Sequence, residues 1–477
     1  MRTIVLLLIS ISVCTAQQPV VDRASALELQ GKFDEAAQVL DGALKNTSLT
    51  PSDRKTLQFE LDRLDRIRKD YPLTQERLFE ILQQSVKDLT REEFDQWVAG
   101  GRFDSRTIDD TMSFMGSSRS NLFFRYTDLA GRRINPPDET EFENSTLHAV
   151  TTIIQAAEQA NMPYVLPKRF KNTMTVTLKP DAAPAGETVK AWVPIPRSFP
   201  HQQEFKILSS SSPVKNVDGE ESAIRSAYFE QTPRASEPTK FNIEYEYTGY
   251  GVWFDPKPEA VRPYQPKDQA VARYTKEDPH VVFTDRIKKL SNDLAGKEPN
   301  PLLKAKRFYD WISETIKYSY AIEYSTIRNI SEYCAQKGYG DCGQAALLFI
   351  TVCRYNGIPA RWQSGWLTIP GGKTIHDWTE IYIMPYGWIP VDPYMGVFAM
   401  QYFSGPTEQR KMIRDFYFGG LDQYRMAANS DHNQELKPPK KSFRSDNVDF
   451  QRGELEFGTT NIYFDKYSFE LKVEEKK

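Results

Sequence analysis

One stretch limits what this chain can fold into. In Gly340-Asp341-Cys342-Gly343-Gln344-Ala345-Ala346-Leu347-Leu348-Phe349 a glycine-bearing loop gives way to an apolar, Ala/Leu-rich run of helical character. A thiol at the start of a helix sits where partial positive charge favours thiolate over thiol. The free backbone N–H groups of the first turn can also receive a developing oxyanion. Gly357-Ile-Pro-Ala360 ends the helix, and strand patterns follow at residues 361–368, 376–383 and 387–391. Pro385-Tyr386-Gly387 makes a hairpin turn between the last two. His376 opens the second strand in His-Asp-Trp-Thr-Glu, and Asp392 closes the third in Trp-Ile-Pro-Val-Asp-Pro. Cys342, His376 and Asp392 thus supply a nucleophile, a general base and a group to orient that base. Two adjacent antiparallel strands joined by a turn bring the last two together.

The neighbours of these residues have plainer roles. Asp341 reads as a helix N-cap. Trp378 and Glu380 share the face of His376, because even offsets along a strand point one way. Trp378 is expected to pack on or shield the site, and Glu380 to lie beside it or face solvent. Trp366 and Trp388 read as core. The other histidines, His148, His201, His280 and His432, lack comparable context.

Around this core the hydrophobic period changes along the chain. From residue 22 to about 160 it is helical, with Leu27, Leu29, Phe33, Ala36, Ala37 and Leu40 recurring around Gly31. Leu29–Ala36 resembles a tetratricopeptide turn, without a second clear copy. Thr74 and Thr90 each open a capping-box pattern. Near Phe170 the period becomes two, and Phe241-Asn-Ile-Glu-Tyr-Glu-Tyr247 alternates cleanly. Pro256, Pro258, Pro263 and Pro266 make a stiff linker before helices return at Asp278. The expected fold is α+β: helical region 17–168, antiparallel β domain 169–255, core 270–404, and a short C-terminal β extension over 405–477.

Residues 1–16 read as a secretory signal, with Arg2, an apolar run from Ile4 to Val13, and Cys14-Thr15-Ala16 as a cleavage site. Lipoprotein anchoring through Cys14 is the weaker alternative, since Val13 is a poor fit before an acylated cysteine. No other stretch approaches the ~20 apolar residues of a membrane span. Export to a periplasmic or extracellular setting leaves Cys334, Cys342 and Cys353. Cys334 and Cys353 either pair or stay free, the second being the simpler reading. No paired zinc-type spacing, calcium loop or nucleic-acid motif is present, and a net charge of −3 gives no basic balance for nucleic acid. No cofactor or metal is expected.

Residues 340–393 resemble the transglutaminase-like superfamily. Gly-Asp-Cys342 with Ala346, Leu348 and Phe349 is similar to that family's nucleophile helix, and Cys353-Arg-Tyr-Asn-Gly-Ile-Pro-Ala-Arg361 to its exit. His376-Asp-Trp378-Thr-Glu380 and Gly387-Trp388-Ile-Pro-Val-Asp392-Pro393 are similar to its histidine and aspartate motifs. The β domain, with Trp192-Val-Pro-Ile-Pro196, more loosely resembles one that precedes the core in bacterial members. The resemblance implies a papain-like core, acyl transfer through a cysteine thioester, and Cys342, His376 and Asp392 as the catalytic set. It implies peptide or protein substrates, cell-wall peptides included. Water as acceptor makes such an enzyme a peptidase or amidase, and an amine makes it a transglutaminase. Members without activity serve as binding or scaffold proteins. For the oxyanion, the backbone N–H of Cys342 is expected to act with a side chain from residues 311–344; Trp311 is one candidate, though its helical position suits a core role better.

Overall fold

The computed structural model describes residues 18–265 and 267–476; the expected signal segment and Cys14 lie outside the described residues. The chain divides into two compact units. One runs to Gln83 and takes in Leu89–Ser118, and the other comprises Gln84–Asp88 and Arg119–Lys477.

In the smaller unit, helices Gln18–Leu29 and Phe33–Leu44 form a hairpin turning at Gly31. There φ is +79°, and a Cβ would come within 2.9 Å of the Thr107 carbonyl, so glycine is required. Thr50 caps helix Pro51–Asp70 by accepting from the Asp53 N–H, and Thr90 does the same for Arg91–Ala99 from Glu93. A two-stranded hairpin, Ser105–Ile108 with Thr111–Phe114, interrupts the expected helical region. Arg63 is buried between Glu28 and Glu60, and Arg106 also reaches Glu28.

The larger unit holds a two-sheet β domain and an α+β core. The first sheet runs Gly420–Leu421, Thr239–Trp253, Tyr164–Leu178, Tyr467–Lys476, with Gln202–Ser210 also on Thr239–Trp253. The second runs Thr460–Ile462, Glu454–Phe457, Val189–Pro194, Ser226–Gln231, Asn216–Val217. Period-two alternation decides what they bury. Phe241, Ile243, Tyr245 and Tyr247 pack with Val189, Ala191 and Val193 in one apolar layer.

The core sheet is antiparallel in the order Gly387–Val391, Thr374–Ile383, Ala360–Leu367, Arg425–Asn429. Helix Cys342–Tyr355 packs on its two middle strands and on helix Pro301–Thr315. From Gly343 to Arg354 every residue of that helix is buried, which is why its sequence is apolar nearly all round.

The chain beyond residue 404 is more than an extension packed on the core. Arg425–Asn429 is the fourth strand of the core sheet, Glu454–Phe457 pairs with Val189–Pro194, and Tyr467–Lys476 pairs with Tyr164–Leu178. Each of these strands has a partner far upstream, so local periodicity could not assign it a place. In the basic stretch around Lys437–Arg444, Lys440 is buried and, with Arg444, paired to buried Glu454, whereas Lys437 and Lys441 are exposed.

Candidate active site

Asp341 begins the cysteine helix with a capping box. Its carboxylate accepts the Gln344 N–H at 3.0 Å, and Gln344 Oε1 accepts the Asp341 N–H at 3.3 Å. Tyr324 donates its hydroxyl to Asp341 Oδ1 at 2.6 Å. Burial pushes the Asp341 carboxyl up to about 6, against the opposing effect of these donors. Gly343 has no room for a side chain, since a Cβ would stand 2.2 Å from the Tyr324 hydroxyl and 2.8 Å from Asp377 Oδ2.

His376 lies fully buried on strand Thr374–Ile383, with Nε2 2.8 Å from Asp392 Oδ2. Asp392 sits where strand Gly387–Val391 turns into helix Pro393–Gln401, and caps that helix by accepting the Met395 N–H at 3.1 Å. Its Oδ2 also accepts from Arg425 Nη1 at 2.7 Å. Arg425 is buried in turn, with Nε and Nη2 donating to Asp422 Oδ2 at 3.0 and 2.9 Å. Burial alone would raise the Asp392 carboxyl, but His376 and Arg425 outweigh it and hold it below the usual carboxylate value. Burial likewise takes His376 below the usual histidine value, against the pull of Asp392. The ring is therefore neutral at neutral pH, and facing an ionised carboxylate fixes its hydrogen on Nε2. Nδ1 keeps the lone pair, and it is buried with no hydrogen-bond partner.

The thiol is placed differently from the expectation. Cys342 Sγ donates to Asp377 Oδ2 at 3.6 Å, and Asp377 is the residue after His376 on the same strand. The structure brings His376 and Asp392 together; it does not hydrogen-bond Cys342 to His376. Nor does the helix N-terminus hold a thiolate. Burial, then the Asp377 and Asp341 carboxylates, push the Cys342 thiol well above its ordinary value. Burial, reinforced by the neighbouring carboxylates, outweighs a half-charge helix end. Asp377 is itself raised, first by burial and then by Asp449 and Asp341.

Aromatic rings close the site. Trp378 lies over His376 with ring centroids 5.9 Å apart at 20°, and Tyr394 meets the imidazole edge-on at 4.8 Å. Glu380 turns to neither solvent nor the imidazole: it is buried and accepts from Arg361 at 2.7 Å and Gln363 at 2.6 Å. Trp366 is buried, whereas Trp388 is partly exposed under the Arg361 guanidinium at 4.1 Å. Trp311 is partly exposed and lines a surface cleft with Asp285, Arg286 and Lys289. Cys334 and Cys353 are buried free thiols.

Four contributors escaped the sequence reading: Asp377, Arg425, Asp422 and Gln451. Gln451 Nε2 donates to Asp377 Oδ1 at 2.6 Å and to the His376 carbonyl at 3.3 Å. Asp377 was visible inside the histidine motif. Arg425 had a fainter signal: a lone cation in Tyr-Arg-Met-Ala-Ala-Asn, a run apolar enough to be buried, where a charge needs a partner.

The profile of the transglutaminase-like superfamily core matches residues 288–393. A protein of Haemophilus influenzae with no assigned function is 24% identical over 147 residues, 26% of this chain and 39% of that protein. The chain thus spans about two fifths of the length of that curated relative. Among solved structures, a candidate cysteine protease from Cytophaga hutchinsonii is 15% identical, with 65% of this chain and 92% of that one covered and a TM-score of 0.43. The periplasmic domain of TgpA from Pseudomonas aeruginosa is 16% identical, with 50% and 97% covered and a TM-score of 0.28. Among the described residues no helix is long and apolar enough to cross a membrane.

Proposed function

Because the chain belongs to the transglutaminase-like superfamily through residues 288–393, we propose that it is an exported cysteine-dependent enzyme that hydrolyses peptide or amide bonds through a thioester on Cys342. The observation that carries this reading is the His376–Asp392 pair at 2.8 Å, which leaves a buried lone pair on His376 Nδ1 without a partner. That is the state a general base needs before it takes a proton.

In this mechanism the thiol rests protonated on Asp377 and swings to His376 Nδ1 as substrate enters. Nδ1 takes the thiol proton while sulfur bonds to the amide carbonyl carbon. The carbonyl oxygen gains charge and is met by the backbone N–H of Cys342. As the C–N bond breaks, His376 passes its proton to the departing amine, leaving a thioester. Water, deprotonated by the same nitrogen, then releases the acid and restores the thiol. Asp392, held by Arg425 and Met395, keeps the imidazole in one tautomer throughout. Peptides, cell-wall peptides included, are the substrate class of this reading.

A thiol-reactive probe tests it. Labelling that disappears in Cys342→Ala and falls sharply in His376→Ala supports the enzyme. A folded protein that leaves an accessible Cys342 unlabelled would favour an inert scaffold. Product analysis with and without added primary amine separates hydrolysis from transfer, and an amide of that amine would point to a transglutaminase.

A further inference from the structure

Outside the site described above, a second group of ligating side chains is buried around the end of the core sheet. Ligand atoms of Asp278, Asp431 and His432 lie within 4.8 Å of one another. Asp431 and His432 are 2% and 0% exposed, and the Asp278 side chain is about one-third exposed, which gives a path from solvent.

The polar atoms of this group are only partly satisfied. His432 Nε2 is 2.7 Å from the Pro279 carbonyl. A carbonyl only accepts, so Nε2 carries the hydrogen and Nδ1 is left with its lone pair. Nδ1 is buried without a hydrogen-bond partner. It stands 3.9 Å from Asp431 Oδ1, a second buried atom without a partner. Asp431 Oδ2 is already engaged by Arg273 at 2.6 Å and Tyr274 at 3.3 Å. A neutral imidazole fixed through its outer nitrogen by a backbone carbonyl is how proteins prepare a histidine ligand.

The backbone is set as well. Asp278 exchanges two hydrogen bonds with Val281, at 3.1 and 2.8 Å, and Asn429 donates to the Asp431 carbonyl at 3.0 Å. The nearby cation, Arg354, donates from Nε and Nη1 to the carbonyls of Ala360 and Lys276, keeps a buried Nη2 without a partner, and comes no closer than 4.0 Å to Asp278. It weakens an ion's hold without filling the ligand positions. His280, two residues from Asp278, also has a buried Nδ1 without a partner.

We propose that Asp278, Asp431 and His432 form a binding site for a divalent transition-metal ion, with zinc the best match to one imidazole and two carboxylates. Zinc holds neighbouring ligand atoms roughly 3.4 Å apart at bond lengths of about 2.0–2.2 Å. Asp278 Oδ2 now stands 3.9 Å from His432 Nε2, so joining Asp431 around an ion on Nδ1 requires the Asp278 side chain to turn, for which its partial exposure gives the freedom. The site is separate from Cys342 and does not depend on its activity.

The test is calorimetric titration of the full chain with zinc after dialysis against chelator, with elemental analysis for stoichiometry. One ion per chain is expected. Asp278→Asn, at the partly exposed ligand, should weaken binding by about tenfold or more while leaving near-UV circular dichroism unchanged. Cys342→Ser should bind as the parent does, because the catalytic thiol is not a ligand. Absence of saturable binding, affinity unchanged in Asp278→Asn, or binding lost in Cys342→Ser would each overturn the proposal.

Discussion

Arg425 and His376 converge on one oxygen. Arg425 Nη1 lies 2.7 Å and His376 Nε2 2.8 Å from Asp392 Oδ2. The guanidinium therefore sets where the carboxylate stands, and the carboxylate sets how the imidazole is turned. Arg425→Lys keeps a cation but loses the fork on Asp422. We expect kcat for peptide hydrolysis to fall about tenfold to a hundredfold with KM little changed. Arg425 also opposes protonation of His376. Arg425→Gln removes that charge and lets the imidazole hold its proton to higher pH, so in this second variant the acidic limb of kcat/KM should move upward. A loss of activity with no movement of that limb would mean a packing role alone.

Asp377 governs the resting thiol. Its carboxylate holds the Cys342 thiol at 3.6 Å and helps push its pKa up. Asp377→Asn removes that negative charge. The midpoint of the pH–rate profile for alkylation of Cys342 should shift to lower pH, with faster labelling at neutral pH. An unchanged midpoint would show that burial, the largest cause, and the other carboxylates raise the thiol without Asp377.

Asp341 makes stability depend on pH. Its carboxyl is raised by burial from 3.8 to about 6. The folded state thus binds this proton more tightly than the unfolded chain does. The resulting stabilisation is complete below 3.8 and is lost as pH rises through about 6. Asp341→Asn retains a capping oxygen and cannot ionise. Its Tm relative to the parent should therefore rise as pH increases across that window. Parallel Tm curves for the two proteins would contradict this.

In the smaller unit, Arg63 depends on Glu28 for one of its two carboxylates. Glu28→Leu leaves the buried guanidinium with Glu60 alone and also frees Arg106. Loss of a buried partner costs about 3 kcal/mol or more. Urea unfolding of the full chain should show an early transition from this unit, while the far side chains of the core keep their parent midpoint.

Much of this was legible in the sequence where chemistry is local. The cysteine helix, its cap at Asp341 and the strands carrying His376 and Asp392 stand within about fifty residues, each marked by a turn or a period. The alternation at Phe241–Tyr247 named its own buried face. What escaped depended on distance along the chain. Arg425, Asp422 and Gln451 reach the site from beyond the recognisable motifs, Arg425 on a strand whose partner no local pattern names and the other two on the loops beside such strands. The thiol's state escaped for another reason. A helix end is visible in sequence, but the carboxylates gathered around it are a property of the fold.

The fourth strand of the core sheet also fixes when the site can exist. During synthesis Cys342, His376 and Asp392 all leave the ribosome before Arg425–Asn429 does. Until that strand emerges and docks, Asp392 lacks its anchor and the imidazole has no fixed bearing. A chain that has grown past Asp392 but not yet to Arg425 therefore carries all three groups without the guanidinium that orients them.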